Sequence, residues 1–76
     1  MQRVMLKLRD IRLRHQVKVG RPVPIQEVAD AMNIDRKALA RMEKGQTSRI
    51  DFDILAKLCS FFEVTPGDLL EYTDAP

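Results

Sequence analysis

Apolar side chains recur along most of the chain with the 3.6-residue period of an amphipathic α-helix. Clusters of Gly, Pro, Asn and Ser interrupt this period and divide the chain into five segments. The pattern predicts helices over residues 2–15, 25–32, 36–43, 52–62 and 66–72, followed by a frayed tail over 73–76. Because no segment alternates steadily between apolar and polar residues, as a strand does, we predict an all-α fold in a single domain spanning residues 1–76.

The first predicted helix is amphipathic, and the fourth is the most apolar. On the first, Val4, Leu8 and Ile11 share one face. The β-branched pair Val17 and Val19 follows, so we expect this helix to stop near Gln16 and to leave residues 16–23 as a loop. The fourth helix is apolar on more than half of its circumference, which predicts a central position. Its two apolar stripes are Phe52, Leu55, Cys59 and Phe62, and Ile54, Leu58 and Phe61.

Residues 25–44 predict two short helices joined by a three-residue turn. Asp35 is suited to cap the second helix, and Asn33 tolerates the left-handed backbone that such a turn needs. Ala29 is predicted where the helices cross at close range, because a larger side chain would push them apart. These features favour the crossing of a helix-turn-helix over an antiparallel hairpin. The inward-facing residues are Val28, Met32, Leu39 and Met42.

The outward face of the second of these helices is rich in cations. Its outward positions are Arg36, Lys37, Ala40, Arg41 and Lys44. A helix of this width fits the major groove of B-DNA, where Arg can donate two hydrogen bonds to guanine. The alternative is that these are ordinary solubilising charges. Glu43 is the only acid in the helix, which favours DNA contact over that alternative.

The formal net charge is +2, but the charged residues are unevenly distributed along the chain. Seven Lys and Arg residues and His15 precede Pro22, against Asp10 as the only acid. From Asp51 onward, six acids accompany Lys57 as the only base. This asymmetry indicates an oriented dipole, although two solvated faces that merely differ in charge would give the same pattern.

The residue inventory argues against several classes of function. Cys59 is the only cysteine, so no intrachain disulfide can form, and its simplest role is a small buried apolar residue. No pattern of metal ligands, nucleophile–base pair or phosphate-binding loop is present, so we expect neither an enzyme nor a bound metal or cofactor. We also expect a cytoplasmic protein, since no apolar run reaches the ~20 residues of a membrane span and no secretory signal pattern is present.

The stretch IQEVADAMNIDRKALARMEKG (residues 25–45) resembles the Cro/repressor-type helix-turn-helix of the XRE family. Residues 50–59 and 64–70 resemble the fourth and fifth helices of the same family, so the resemblance covers about 25–72. It implies a five-helix, lambda-repressor-like DNA-binding domain. It also implies sequence-specific binding of double-stranded DNA, with the second helix of the motif in the major groove, and a homodimer on a two-fold-related site.

The resemblance also assigns roles to residues. It places Arg36, Lys37 and Arg41 at positions that contact DNA bases. It places Lys44, Gln46, Thr47 and Arg49 at positions that contact the DNA backbone. Glu43 falls on an acid that commonly pairs with an arginine of the first helix, for which both Arg9 and Arg12 are available.

The chain departs from the family pattern at several positions. Pro24 and Ile25 stand where a Thr-Gln pair commonly clamps a phosphate, which puts that contact in doubt. The longer connection over residues 16–23 either adds backbone contacts through Lys18 and Arg21 or is a plain solvated loop. His15 is expected to be an exposed helix-terminal residue. Four further residues either extend an exposed dimerisation patch or tighten the core: Ile54, Ala56, Phe61 and Tyr72.

The leading hypothesis is a transcription regulator that acts by occupying an operator. A first alternative on the same fold is an antitoxin or partner-binding module, whose partner would be a toxin or a co-regulator. A second is a protein-interaction domain that has lost DNA binding, and the cationic face of the second helix argues against it.

Overall fold

The computed structural model describes residues 2–74 and contains five helices and a small antiparallel sheet. The elements in chain order are β1 (Arg3–Leu6), α1 (Leu8–Val19), α2 (Ile25–Met32), α3 (Arg36–Glu43), α4 (Phe52–Phe62), α5 (Pro66–Leu69) and β2 (Leu70–Thr73). The predicted fold class is confirmed, with the two strands as an addition. None of the helices within these residues is long and apolar enough to cross a membrane.

The core is formed by side chains from all five helices. Leu39, Leu58 and Leu69 are completely buried, and each such side chain stabilises the fold by roughly 1.5–3 kcal/mol through removal from water. Helix α2 packs against both α3 and α4, and α1 packs against the same two helices. The remaining core residues are Leu8, Ile11, Val23, Val28, Ala29, Met32, Met42 and Phe62.

The two strands join the ends of the described chain and correct the predicted first and last helices. Arg3 pairs with Thr73 and Leu6 with Leu70 in an antiparallel ladder. The Lys7 N–H continues this ladder by donating to the Leu69 carbonyl at 2.7 Å. Helix α1 therefore starts at residue 8 rather than 2, and α5 stops at residue 69 rather than 72. A helical period through a few apolar residues cannot exclude a strand whose partner lies about 70 positions away.

The side chains at the chain ends follow this correction. Val4, predicted to lie on the buried face of a helix, is 62% exposed on β1. Of the predicted frayed tail over 73–76, Thr73 instead pairs in β2. Residues 75 and 76 lie outside the described part of the chain.

Helix α1 continues through the predicted loop to Val19. Gly20 ends it in a left-handed conformation (φ 73°), and its N–H donates to the Gln16 carbonyl at 2.9 Å. Val17 and Val19 are exposed residues of this helix. The preference of valine for strands is too weak to end the helix before them. The connection to α2 is therefore residues 20–24, and the Gln16 side chain fixes it by accepting the Val23 N–H at 2.9 Å.

Helix α4 has the predicted bounds, but one apolar stripe is wrong at its first residue. Phe52 is 84% exposed, whereas Leu58 and Phe62 are buried. The apolar period places Phe52 on the inner side, but this first residue of the helix is exposed, whereas Ile54 and Leu55 of the same turn pack against the core. The predicted cap is present, because the Asp51 carboxylate accepts the Asp53 N–H at 2.7 Å.

His15 lies in the middle of α1 and is half-buried, contrary to the exposed helix end predicted for it. Its ring lies 5.5 Å from that of Phe61 and 5.2 Å from that of Phe62, measured between centroids. Its Nδ1 atom is buried without a hydrogen-bond partner among residues 2–74. The sequence pattern ends α1 one turn too early, which is why it predicts His15 at the helix end.

Candidate nucleic-acid interface

Helices α2 and α3 are joined by the tight turn that the sequence predicts. Asn33 has φ 55° and ψ 47°, in the left-handed region that Asn tolerates better than most residues. The Ile34 N–H donates to the Ala29 carbonyl at 3.0 Å, and the Ala29 side chain is completely buried. The Asp35 carboxylate then caps α3 by accepting the Ala38 N–H at 3.3 Å. The chain therefore leaves α2 and enters α3 within three residues.

Helix α3 has one buried face and one cationic exposed face. Leu39 and Met42 are buried in the core. Arg36, Lys37 and Arg41 are exposed, and within residues 2–74 no carboxylate forms an ion pair with any of them. The predicted base-contacting side chains are thus accessible and are not neutralised by the protein.

Glu43, the one acid of α3, is paired with Arg12 of α1. The contact is bidentate, with Nε donating to Oε2 at 2.9 Å and Nη2 to Oε1 at 2.7 Å. The Arg12 and Glu43 side chains are only 17% and 12% exposed, and the hydrogen bond with Glu43 raises the pKa of Arg12. Arg12 Nη1 also donates to the Val23 carbonyl at 3.0 Å. The sequence does not distinguish Arg9 from Arg12 as the partner of Glu43, and the structure shows that the partner is Arg12.

The segment after α3 presents the predicted DNA-backbone contacts to solvent. Gly45 adopts φ 73°, and the Gln46 N–H donates to the Arg41 carbonyl at 2.9 Å. This turn directs the chain away from the end of α3. The exposed side chains on it are Lys44, Gln46, Thr47 and Arg49.

Lys18 and Arg21, two further candidates for backbone contacts, are instead paired within the protein. Arg21 donates to both carboxylate oxygens of Glu27, each at 2.8 Å. Lys18 donates to Glu63 at 2.9 Å. These hydrogen bonds lower the pKa values of Glu27 and Glu63. Both cations are thus already matched by acids, which argues against added DNA-backbone contacts here, although Lys18 lies on α1 rather than in the predicted loop.

The helix start that lacks the Thr-Gln pair is closed by main-chain bonds. The Pro24 carbonyl accepts the N–H groups of Glu27 at 3.0 Å and of Val28 at 3.4 Å. The Gln26 side chain donates to Asp30 at 2.8 Å on the same helix. The amide of Gln26 is therefore engaged within α2.

The candidate dimerisation residues do not form one surface. Ile54 and Phe61 are half-buried and pack against the core, as the tighter-core interpretation predicts. Tyr72 is 63% exposed on β2, opposite the exposed Val4. Tyr72 and Val4 thus form an exposed apolar pair on the strands, while Ile54 and Phe61 of α4 belong to the core.

A groove of about 220 Å³ separates β1 from the segment that follows α3. The four residues of β1 line one wall and residues 47–50 line the other, with Met42 and Leu70 also contributing. The sequence does not predict that Arg3 lines this groove, because the position of Arg3 depends on the pairing of β1 with β2. Residues 3–6 give no alternating pattern that would indicate a strand, because Met5 is apolar like its neighbours.

A family model for the Cro/C1-type helix-turn-helix DNA-binding domain matches residues 21–75. The chain belongs to this family. No curated protein and no solved structure gives a match. In this Cro/C1-type domain, α2 and α3 are the helix-turn-helix, and the matched residues also include α4, α5 and β2.

Proposed function

We propose that this protein is a transcription regulator, acting as a repressor by occupying a specific sequence in double-stranded DNA. The observation that supports this most directly is the charge of α3. Three exposed cations lack a carboxylate partner within residues 2–74, while the only acid of the helix is sequestered by Arg12. The accessible face of α3 is therefore positive, which suits a helix that enters the major groove.

In this proposal α3 provides the sequence preference and the following segment provides affinity. Arg36 and Lys37 at the start of α3, and Arg41 one turn later, contact base edges. Hydrogen bonds and charge from the exposed segment fix the position of the protein on the phosphates without selecting a sequence. The residues proposed for these backbone contacts are Lys44, Gln46, Thr47 and Arg49.

A homodimer is part of the proposal, and the outer edge of β2 is suited to it. Because Lys7 N–H donates to the Leu69 carbonyl, the alternation of an antiparallel ladder directs the backbone groups of Leu70 and Tyr72 away from β1. The β2 strand of a second copy of the chain can pair with these groups in antiparallel orientation, with the two-fold axis passing through Tyr72. That register places Tyr72 opposite itself and Glu71 opposite Thr73, so no like charges lie directly opposite.

Selection from a random duplex library at two salt concentrations tests the function. Enrichment of a two-fold-symmetric sequence at both concentrations is the expected result, since base contacts survive the weakening of phosphate contacts by salt. Binding that ignores sequence and disappears at the higher salt would contradict it. That outcome would favour the antitoxin or partner-binding module, whose partner is a toxin or a co-regulator.

A further inference from the structure

The lining of the groove between β1 and residues 47–50 includes cationic, hydroxyl-bearing and apolar residues. Arg3 and Arg49 line it together with the hydroxyl-bearing residues Thr47 and Ser48. Leu6 and Leu70, which pair across the sheet, also line it. A groove with this lining can accept an anion but offers no carboxylate to a cation.

In the described part of the chain, neither arginine of the groove has a carboxylate partner. Within residues 2–74 no hydrogen bond or ion pair involves the side chain of Arg3 or Arg49, and both residues are exposed. Arg12, in contrast, is held by a carboxylate that it contacts twice.

The groove continues the surface proposed to contact the DNA backbone. Thr47 and Arg49 belong both to its wall and to the segment that leaves α3. A DNA strand presents phosphates at regular short intervals, so a strand that passes this segment brings further phosphates beyond it. Arg3 is the cation on the opposite wall, held there by the pairing of its strand with Thr73.

We propose that β1 is part of the DNA interface and that Arg3 binds a phosphate next to those bound by Arg49, one that the helix-turn-helix itself does not reach. The inference rests on the proposed function. Under it, the small sheet positions a phosphate-binding side chain in addition to joining the chain ends. The ligand is the sugar-phosphate backbone of duplex DNA, so Arg3 contributes affinity and no sequence preference.

The first test compares Arg3→Gln with Arg14→Gln on the duplex selected from the library. Both variants remove one exposed Arg charge, but Arg14 lines a different groove with His15 and Asp68. Arg3→Gln should flatten the plot of log affinity against log salt by about 0.9 for each phosphate that the variant no longer neutralises. The factor by which Arg3→Gln binds more weakly than the wild type should then shrink about 3.5-fold between 50 and 200 mM salt. Arg14→Gln should keep the wild-type slope, and Arg3→Lys should restore most of it.

The second test locates the phosphate on the DNA. Single phosphates of the duplex are replaced by uncharged methylphosphonates, and wild-type affinity should fall at a position next to the phosphates that Arg49 binds, which an Arg49→Gln variant identifies. Arg3→Gln should bind equally well with or without the charge at that position. Equal salt slopes for Arg3→Gln and Arg14→Gln, or no such phosphate, would overturn the role of β1 alone. A wild-type protein that binds no duplex would overturn the proposed function and this inference together.

Discussion

Arg12 determines the charge that α3 exposes although it lies on another element. Its guanidinium binds both oxygens of Glu43 and the carbonyl of Val23, so one side chain connects α1, α3 and the connection before α2. Bidentate contacts of this kind are stronger than single hydrogen bonds to neutral groups. The same contact removes the negative charge of Glu43 from the surface proposed to meet DNA. This residue pair therefore links the stability of the fold to the proposed DNA binding.

Glu43→Gln should destabilise the fold by on the order of 2 kcal/mol, because it leaves the largely buried Arg12 cation without its counter-charge. The measurement is urea unfolding followed by circular dichroism. Glu27→Gln is the matched control, since it removes a bidentate carboxylate from an exposed arginine, and it should change the unfolding midpoint little. Equal midpoints for the two variants would show that the Arg12–Glu43 pair does not stabilise the fold.

Arg36→Ala should weaken binding to the selected duplex and relax the preference at one base pair, by about 1–3 kcal/mol of discrimination. The reason is the removal of a guanidinium that can donate twice to guanine from the start of α3. Repeating the library selection with the variant measures this directly. A decrease of the same size on every sequence would instead mean that Arg36 contacts a phosphate. The substitution Gln46→Glu should instead weaken binding to every DNA sequence by the same factor, because Gln46 is proposed to contact the DNA backbone.

Among the elements, the helix-turn-helix depends on a small residue at a close contact. Ala29 is completely buried where α2 meets its neighbours, and its carbonyl accepts the N–H of Ile34 within the turn. Ala31, two residues later on the same helix, is exposed. The two alanines therefore separate the effect of a larger side chain on the helix from its effect on packing.

Ala29→Phe should lower the thermal midpoint strongly, since an aromatic ring at a fully packed position costs more than the about 1–3 kcal/mol of a smaller overpacking change. Ala31→Phe makes the same substitution on the exposed face and should leave the midpoint nearly unchanged. Differential scanning calorimetry of both variants measures the difference. An unchanged midpoint for Ala29→Phe would refute the close packing of α2.

Helix α5 is short, and a carboxylate holds its first turn. The Asp68 side chain accepts the Thr65 N–H and hydroxyl, each at 3.0 Å, and these bonds lower the pKa of Asp68. A carboxyl with a lowered pKa stabilises the fold above its unfolded pKa of about 4, and this contribution is lost as the pH falls through the folded value.

Asp68→Asn should therefore reduce the loss of stability on acidification, because the substituted side chain does not titrate. The measurement is the melting temperature from pH 6 down to pH 2.5, for the variant and the wild type. The two curves should differ most at pH 6 and converge at the acid end. Parallel curves across this range would contradict a stabilising role for the ionised carboxylate.

Local signals in the sequence are sufficient for the interior elements. Helices α2, α3 and α4 have the predicted bounds, because Asp35 and Asp51 cap two of them and Asn33 supplies the left-handed turn. The chain ends are not predictable in this way. Residues 3–6 and 70–73 form strands only because they meet each other, and no local pattern encodes that pairing.

The candidate site divides in the same manner. The exposed cations of α3 follow from the helical period alone, and the sequence itself shows Glu43 as the acid of the same helix. The choice of Arg12 over Arg9 required the packing of α1 against α3, and the position of Arg3 required the sheet. Contacts between distant segments thus decide which cations are neutralised and which remain available to DNA.

For the whole molecule, the two strands leave an exposed apolar surface on one side of the helical core. Tyr72 and Val4 are cross-strand partners that are 63% and 62% exposed. An open strand edge beside such a pair is a template for pairing with another chain, unless charge or cover prevents it. The β2 edge offers backbone groups at Leu70 and Tyr72 in the register that a two-fold axis through Tyr72 requires.

Tyr72→Lys should convert the proposed dimer into a monomer, because the two-fold axis would place two like charges directly opposite each other. Analytical ultracentrifugation over a range of protein concentrations measures the oligomeric state. Phe52→Lys is the matched control: it replaces another exposed aromatic residue, at the start of α4, and should remain dimeric. On a two-fold-symmetric operator, Tyr72→Lys should bind the two half-sites independently and more weakly, with base preference unchanged. A dimer that persists in Tyr72→Lys would place the interface elsewhere, because the substituted strands could not pair about this axis.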